Sequence, residues 1–172
     1  MITIYSPNLG SRIKYVIEFI FRDLLEIEFR LTNKVNDLKG IVINYSNKPC
    51  CFYDKEKLVL AHKMYGFPYY DKTGEYGISN RDNYVIVGYS DNDFERLKQF
   101  LSLNLSLLVF ETTRYRMKYL ERYAFEFIPD ITKIPDFPDI ITDDTVSNYF
   151  QLTDEERLAI KNITKKEYSD FK

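Results

Sequence analysis

Tryptophan is absent from this 172-residue chain, histidine occurs once, and cysteine occurs twice. The six glycines are so spaced that no Gly-x-Gly forms, and no two of the six prolines are adjacent. Each shortage removes a class of chemistry. With His62 alone, no centre built on paired histidines can be assembled. Cys50 and Cys51 are neighbours, so they cannot form an ordinary structural bridge with each other, and they offer no zinc spacing. That usage points to a reducing, cytoplasmic setting. No apolar run is long enough to span a membrane, and no charged segment followed by an apolar one opens the chain as a signal peptide would. Positive charge is not in excess either: 24 Lys and Arg face 26 Asp and Glu, a net charge of -2. The chain as a whole lacks the basic footprint of a strong independent nucleic-acid binder, which leaves room only for a local patch.

What is present is an ordinary globular balance, 45% apolar and 29% charged, with 15 Tyr and 13 Phe. A/T-rich coding accounts for that aromatic bias, since its codons favour Tyr, Phe, Asn, Ile and Lys. The length suffices for one good core without disulfides or metals. The central stretch runs from Leu58 to Val87. Leu58-Val59-Leu60-Ala61 reads as a strand, Asp71-Lys72-Thr73-Gly74 as a turn, and Tyr84 to Val87 as a second strand. Two strands that hold out segments crowded with His, Lys, Tyr, Asn and Arg form a recognition surface on a rigid base.

On either side, the pattern gives an α+β chain. Ile2 to Tyr5 reads as a strand. A helix capped by Ser11 follows, with Ile13, Ile17, Ile20, Phe21 and Leu24 on one face; Ile27 to Leu31 and Ile41 to Tyr45 are two more strands. This is a β-α-β-β unit over residues 1–50. Residues 51–172 form a recognition-like α+β domain, the alternative being one continuous globule. In the second part a mixed sheet is expected from Lys57 onward, backed by a helix over Asp91–Phe110 that Asp91 caps. Leu101, Leu103, Leu105 and Leu107 also alternate with Ser102, Asn104 and Ser106 as a strand would. Helix is preferred because Asp93 to Gln99 is rich in helix formers and no breaker intervenes before Thr112. Phe125 to Ile128 reads as a strand. Pro129, Pro135 and Pro138 keep their surroundings extended. Thr153 to Glu156 is a capping box that opens a helix through about Ile163, with Leu158, Ile160 and Ile163 as its apolar contacts.

Two resemblances attach to these words. The opening IYSPN, the segment SRIKYVIEFIFRDLL and the later INYS resemble an uncharacterised domain at the front of Bacteroidota polysaccharide-deacetylase-like proteins, up to about Lys48. The deacetylase signature, an Asp-Asp with paired His ligands, is absent. From Leu58 onward, AHKMYGFPYYDKTGEYGISNRDNYVIV, then FERLKQFLSLNLSLLVFETTRYRMKYLERYAFEFIPDITKI and ITDDTVSNYFQLTDEERLAIKNI, resemble the C-terminal, target-recognition side of adenine-specific DNA methyltransferases of restriction-modification systems. That resemblance covers about two-thirds of the chain and implies duplex DNA as a partner. The catalytic half of that family needs a Gly-rich loop for S-adenosylmethionine and an Asn-Pro-Pro-aromatic motif, and neither occurs here. The resemblance therefore implies recognition without methylation, no cofactor, and a separate catalytic methyltransferase subunit as partner.

Other chemistries find less footing. A metal-dependent nuclease needs clustered carboxylates and a lysine. Pro129-Asp130 starts such a pattern, but its only later acidic-x-Lys is Asp170-Phe171-Lys172 at the end of the chain. Asp136, Asp139, Asp143 and Asp144 read as solvated turn and cap residues. His62 has no acid-base partner at an obvious spacing, and the cysteines show no electropositive setting to activate them. No metal ligands and no catalytic residues are assigned. For DNA, His62, Lys63, Tyr65, Tyr70, Lys72, Tyr76, Ser79, Asn80, Arg81 and Asn83 supply base-edge donors, phosphate contacts and stacking faces. Arg114, Arg116, Lys118 and Arg122 add a positive stripe if the segment is helical, with Glu111 and Glu121 nearby to neutralise it. The alternative is a protein-interaction or structural α+β domain that binds no nucleic acid, its tyrosines packed on the sheet and its arginines paired with glutamates.

Overall fold

The computed structural model describes the backbone of residues 4–5, 25–29 and 41–45, and residues 51–62, 68–78, 83–114 and 120–163 with their side chains. The helix expected from Ser11 lies outside the described residues. The chain is α+β. Its strands are β1 (Ile4–Tyr5), β2 (Leu25–Phe29), β3 (Ile41–Tyr45), β4 (Lys57–Ala61), β5 (Tyr69–Asp71), β6 (Tyr76–Gly77) and β7 (Asn83–Ile86). The helices are α1 (Asp91–Leu101), α2 (Asn104–Thr112), α3 (Asp143–Tyr149) and α4 (Asp154–Lys161), with 3-10 turns at Arg122–Glu126 and Ile131–Lys133.

The strands form two sheets, and each sheet draws strands from both sides of residue 50. One is antiparallel throughout, in the order β1-β7-β4-β5; the other has the order β3-β2-β6, with β2 and β6 parallel. The second strand starts two residues earlier than expected, because the alternation begins at Leu25 and pairs Leu25 with Tyr45.

β4 explains why Leu58-Val59-Leu60-Ala61 is apolar without interruption. Leu58 and Leu60 face the main core with Tyr84 and Ile86, while Val59 and Ala61 pack on the other face with Val85 and Ile78. A central strand covered on both sides has no solvent face to mark with polar residues. α1 lies on the main-core face. Phe94, Leu97 and Leu101 are buried at helical spacing with Phe100, and Ser90, not Asp91, is the cap, its Oγ accepting from the Asp93 N–H.

The single helix expected over Asp91–Phe110 is instead two. Ser102 closes α1 with its N–H on the Lys98 and Gln99 carbonyls, and Leu103 turns extended at φ -69°, ψ 155°. Both new ends find partners. The Ser106 hydroxyl donates to the Phe100 carbonyl, and the Leu105 N–H donates to Asp143 Oδ1. Those side-chain bonds offer the backbone an alternative to a continuous helical ladder. The strand-like alternation of this stretch marked the irregularity without giving its form.

Phe125 to Ile128 is not a strand. The N–H groups of Ala124, Phe127 and Ile128 each reach back three residues, to Glu121, Ala124 and Phe125, and close a 3-10 turn that buries Phe125 in the core. The capping box of α4 forms as expected, with the Thr153 N–H donating to Glu156 Oε2 and the Glu156 N–H to Thr153 Oγ. Ile160 is buried and Ile163 half-buried, but Leu158 is 57% exposed and is no core contact. Arg96 fastens the proline-rich segment, donating to the carbonyls of Phe137 and Pro138 and pairing with Asp139.

Candidate nucleic-acid interface

The register of β4 on β7 sets Ala61 opposite Asn83 at one end of the sheet and Leu58 opposite Ile86 toward the other. β5 runs back from the first end to the second, with Lys57 opposite Asp71. The two ends differ chemically.

At the Lys57 end a buried ion pair fixes the turn. Lys57 Nζ and Asp71 Oδ2 are 2.5 Å apart, with both side chains at or below 1% exposure. Asp71 also accepts from the N–H groups of Glu75 and Tyr76, and Lys57 donates to the Lys55 carbonyl. Burial lowers the Lys57 pKa, and the Asp71 carboxylate opposes that shift. The predicted turn is here, with Gly74 at φ +72°; a Cβ on it would meet the Lys55 nitrogen at 2.5 Å. Only glycine fits both that conformation and that approach. Three of the proposed contact residues sit in this half of the molecule, away from the Ala61 end. Lys72 pairs with Asp91 at 2.8 Å, which raises the lysine's pKa and lowers the aspartate's. Tyr70 stacks on Phe94, and burial together with Glu56, Asp91 and Glu95 pushes its hydroxyl up to about 12. Tyr76 belongs to β6, opposite Ile27, with its ring edge-on to Tyr69 at 5.8 Å.

At the Ala61 end, three chain segments meet. His62 follows β4 and opens the connection to β5. Asn83 begins β7 and closes the connection from β6. Leu120 joins them through its N–H, which donates to the His62 carbonyl at 2.7 Å, and through its carbonyl, which accepts from the Tyr84 hydroxyl at 3.0 Å. The His62 ring stands edge-on to Tyr84 at 5.4 Å, and Tyr84 edge-on to Phe125 at 5.9 Å. Burial pushes the Tyr84 hydroxyl up to about 12, so it remains a donor at neutral pH. One flanking residue of each of segments 63–67, 79–82 and 115–119, namely His62, Asn83 and Leu120, thereby lies at or beside this joint. The proposed contacts Lys63, Tyr65, Ser79, Asn80, Arg81, Arg116 and Lys118 fall in those segments and lie outside the described residues.

The positive stripe from Arg114 does not start on a helix. α2 ends at Thr112, Thr113 caps it, and Arg114 lies beyond. Its side chain is only 4% exposed, and Nη2 is 2.9 Å from Glu111 Oε1. Arg114 is thus paired internally, with its side chain largely buried. Arg122 sits in the 3-10 turn and is exposed. The residues that reasoning from sequence passed over are Tyr84 and Leu120. Tyr84 reads as one more β-former, and its partner lies 36 residues away.

Among the described residues no group of His, Cys, Asp and Glu is arranged to hold a metal ion, and no helix is long and apolar enough to cross a membrane. In comparison with known proteins, a family of unknown function, DUF7033, matches residues 2–68, a span that runs from β1 through β4. No curated protein and no solved structure matches the chain.

Proposed function

We propose that the chain is a non-catalytic module that recognises duplex DNA through the Ala61 end of its antiparallel sheet, acting in the cytoplasm beside a separate catalytic methyltransferase subunit. The observation that supports this reading is the joint of His62, Tyr84 and Leu120, residues that stand in the sequence beside three cation- and aromatic-bearing segments. Those segments contain Lys63, Arg81, Arg116 and Lys118 against the single acid Asp82, with Tyr65, Phe67, Tyr115 and Tyr119 among them. The carboxylates of Glu56, Asp91 and Glu95 surround Tyr70, which pairs with Leu58 toward the opposite end. A net charge near zero is then compatible with one basic end, since phosphates respond to local charge within about a Debye length of ~10 Å. The likeness of residues 58–172 to methyltransferase target-recognition regions agrees in partner and in the absence of catalytic motifs.

The test is fluorescence anisotropy with a short duplex at about 50 mM and about 200 mM salt. Arg116→Glu/Lys118→Glu is the informative variant, because Arg114 is already paired internally. Binding that weakens with salt, with a slope reduced by about two in the double variant, is the expected outcome. Absence of binding at the lower salt favours the second reading, a protein-interaction or structural domain. That alternative has its own support in the Arg114–Glu111 pair, which neutralises one of the proposed contacts.

A further inference from the structure

We propose that the buried Asp71 carboxylate couples the two sheets, making the docking of β6 on β2 conditional on the closure of β5 against β4. β6 is only two residues long, below the usual length of a strand, and it pairs with Ile27 and Glu28 of β2. So short a strand needs support from elsewhere, and the first sheet provides it. Asp71, the last residue of β5, stands opposite Lys57 of β4. Its Oδ1 accepts from the Glu75 N–H at 3.1 Å and its Oδ2 from the Tyr76 N–H at 3.0 Å, which leads the chain into β6. Just past β6, the Ile78 N–H donates to the Cys51 carbonyl, and the Gly74 carbonyl before it accepts from the Asp54 N–H. A buried ion pair such as Lys57–Asp71 seldom outdoes an apolar pair in stability, because desolvation offsets the attraction. What an apolar pair lacks is an acceptor for two backbone N–H groups. The order of causes therefore runs backward from β6. Residues 75 and 76 need an acceptor, a carboxylate serves both, and a carboxylate out of water needs a cation. Lys57 supplies that cation, and its Nζ also donates to the Lys55 carbonyl at 3.1 Å. The span that matches the family, residues 2–68, contains Lys57 and β2 but neither Asp71 nor β6. The coupling thus extends the cooperative unit of that span at least to residue 77.

The experiment is native-state hydrogen exchange on the full chain, read residue by residue by NMR, with urea denaturation in parallel to correct for any change in global stability. Lys57→Met/Asp71→Leu replaces the pair by apolar side chains of similar size. Lys57→Met/Asp71→Asn is also neutral but keeps one acceptor oxygen. Faster exchange at Glu75 and Tyr76 alone is no more than the loss of their two bonds. Coupling requires that the opening spread to Ile78 and to the β2 amides that face β6. Those amides should exchange about tenfold faster in the leucine variant, and about threefold faster in the asparagine variant, while the amides shared by β4 and β7 keep their protection. Acceleration confined to Glu75 and Tyr76 overturns the proposal, because β6 then docks without Asp71. Equal acceleration in both sheets overturns it as well, because the pair then supports the fold as a whole. Should the leucine variant fail to fold, the asparagine variant decides by the same two criteria.

Discussion

Asp130 illustrates how a single residue in this chain is defined by its neighbours. Its Oδ2 accepts from the Tyr89 hydroxyl at 2.9 Å and lies 2.9 Å from Lys133 Nζ, while Oδ1 accepts from Thr132. Burial works to raise its pKa, but bonds from Thr132, Lys133 and Tyr89 outweigh burial and hold it below the ordinary 3.8. A carboxyl whose folded value is depressed contributes stability that is complete above its unfolded value and disappears as the pH falls through the folded one. Tyr89→Phe should therefore cost about 1–2 kcal/mol at neutral pH. It should also narrow the difference between urea melts at about pH 3 and about pH 7, because less is left to lose by protonation. A variant as acid-sensitive as the original would show that the tyrosine does not set the aspartate's ionisation. The aspartate that opens a nuclease-like pattern in the sequence is thus tied to a tyrosine 41 residues earlier, serving as an anchor for the Ile131 turn.

At the scale of elements, what the sequence disclosed and what it withheld follow from how local the causes are. β3, β4, the Gly74 turn and the capping box of α4 were legible because their signals lie within a few residues of each other: alternation, an apolar run, a glycine, a Thr-x-x-Glu. The break between α1 and α2 was not, because one of the groups that settles it is Asp143, 38 residues beyond the N–H it accepts from. The strand expected over Phe125 to Ile128 failed for a related reason. An apolar run of that length is equally suited to a buried turn, and only the core around Phe110 and Tyr84 decides. For the site, the basic and aromatic segments were legible by composition, whereas the meeting of His62, Asn83 and Leu120 beside them depends on strand register and on the distant Tyr84–Leu120 bond. The helix break carries its own expectation. Asp143→Ala leaves the Leu105 N–H without its acceptor and should cost about 1–2 kcal/mol in urea denaturation, while Asp143→Asn, which keeps an acceptor oxygen, should recover most of it. Equal losses in the two variants would mean that Asp143 matters for its charge and not as a cap.

For the whole molecule, the sheets tie early and late parts of the chain together. β1 pairs with β7, and β2 pairs with β6, so strands from the first fifty residues complete sheets begun by later ones. Thermal unfolding should accordingly be one transition, with far-ultraviolet circular dichroism and tyrosine fluorescence coinciding and calorimetric and van't Hoff enthalpies equal. Two resolved transitions would show that residues 1–50 and 51–172 fold as separate units. The same architecture has an evolutionary side. β4 is covered on both faces and locked in register by two neighbours, so nearly any change there disturbs two cores at once. A flexible connection is under less constraint, since lengthening it adds only about 0.6 kcal/mol per doubling. Variation is thereby channelled: a lineage carrying this fold is free to vary the lengths of its connections while the doubly covered strand stays fixed.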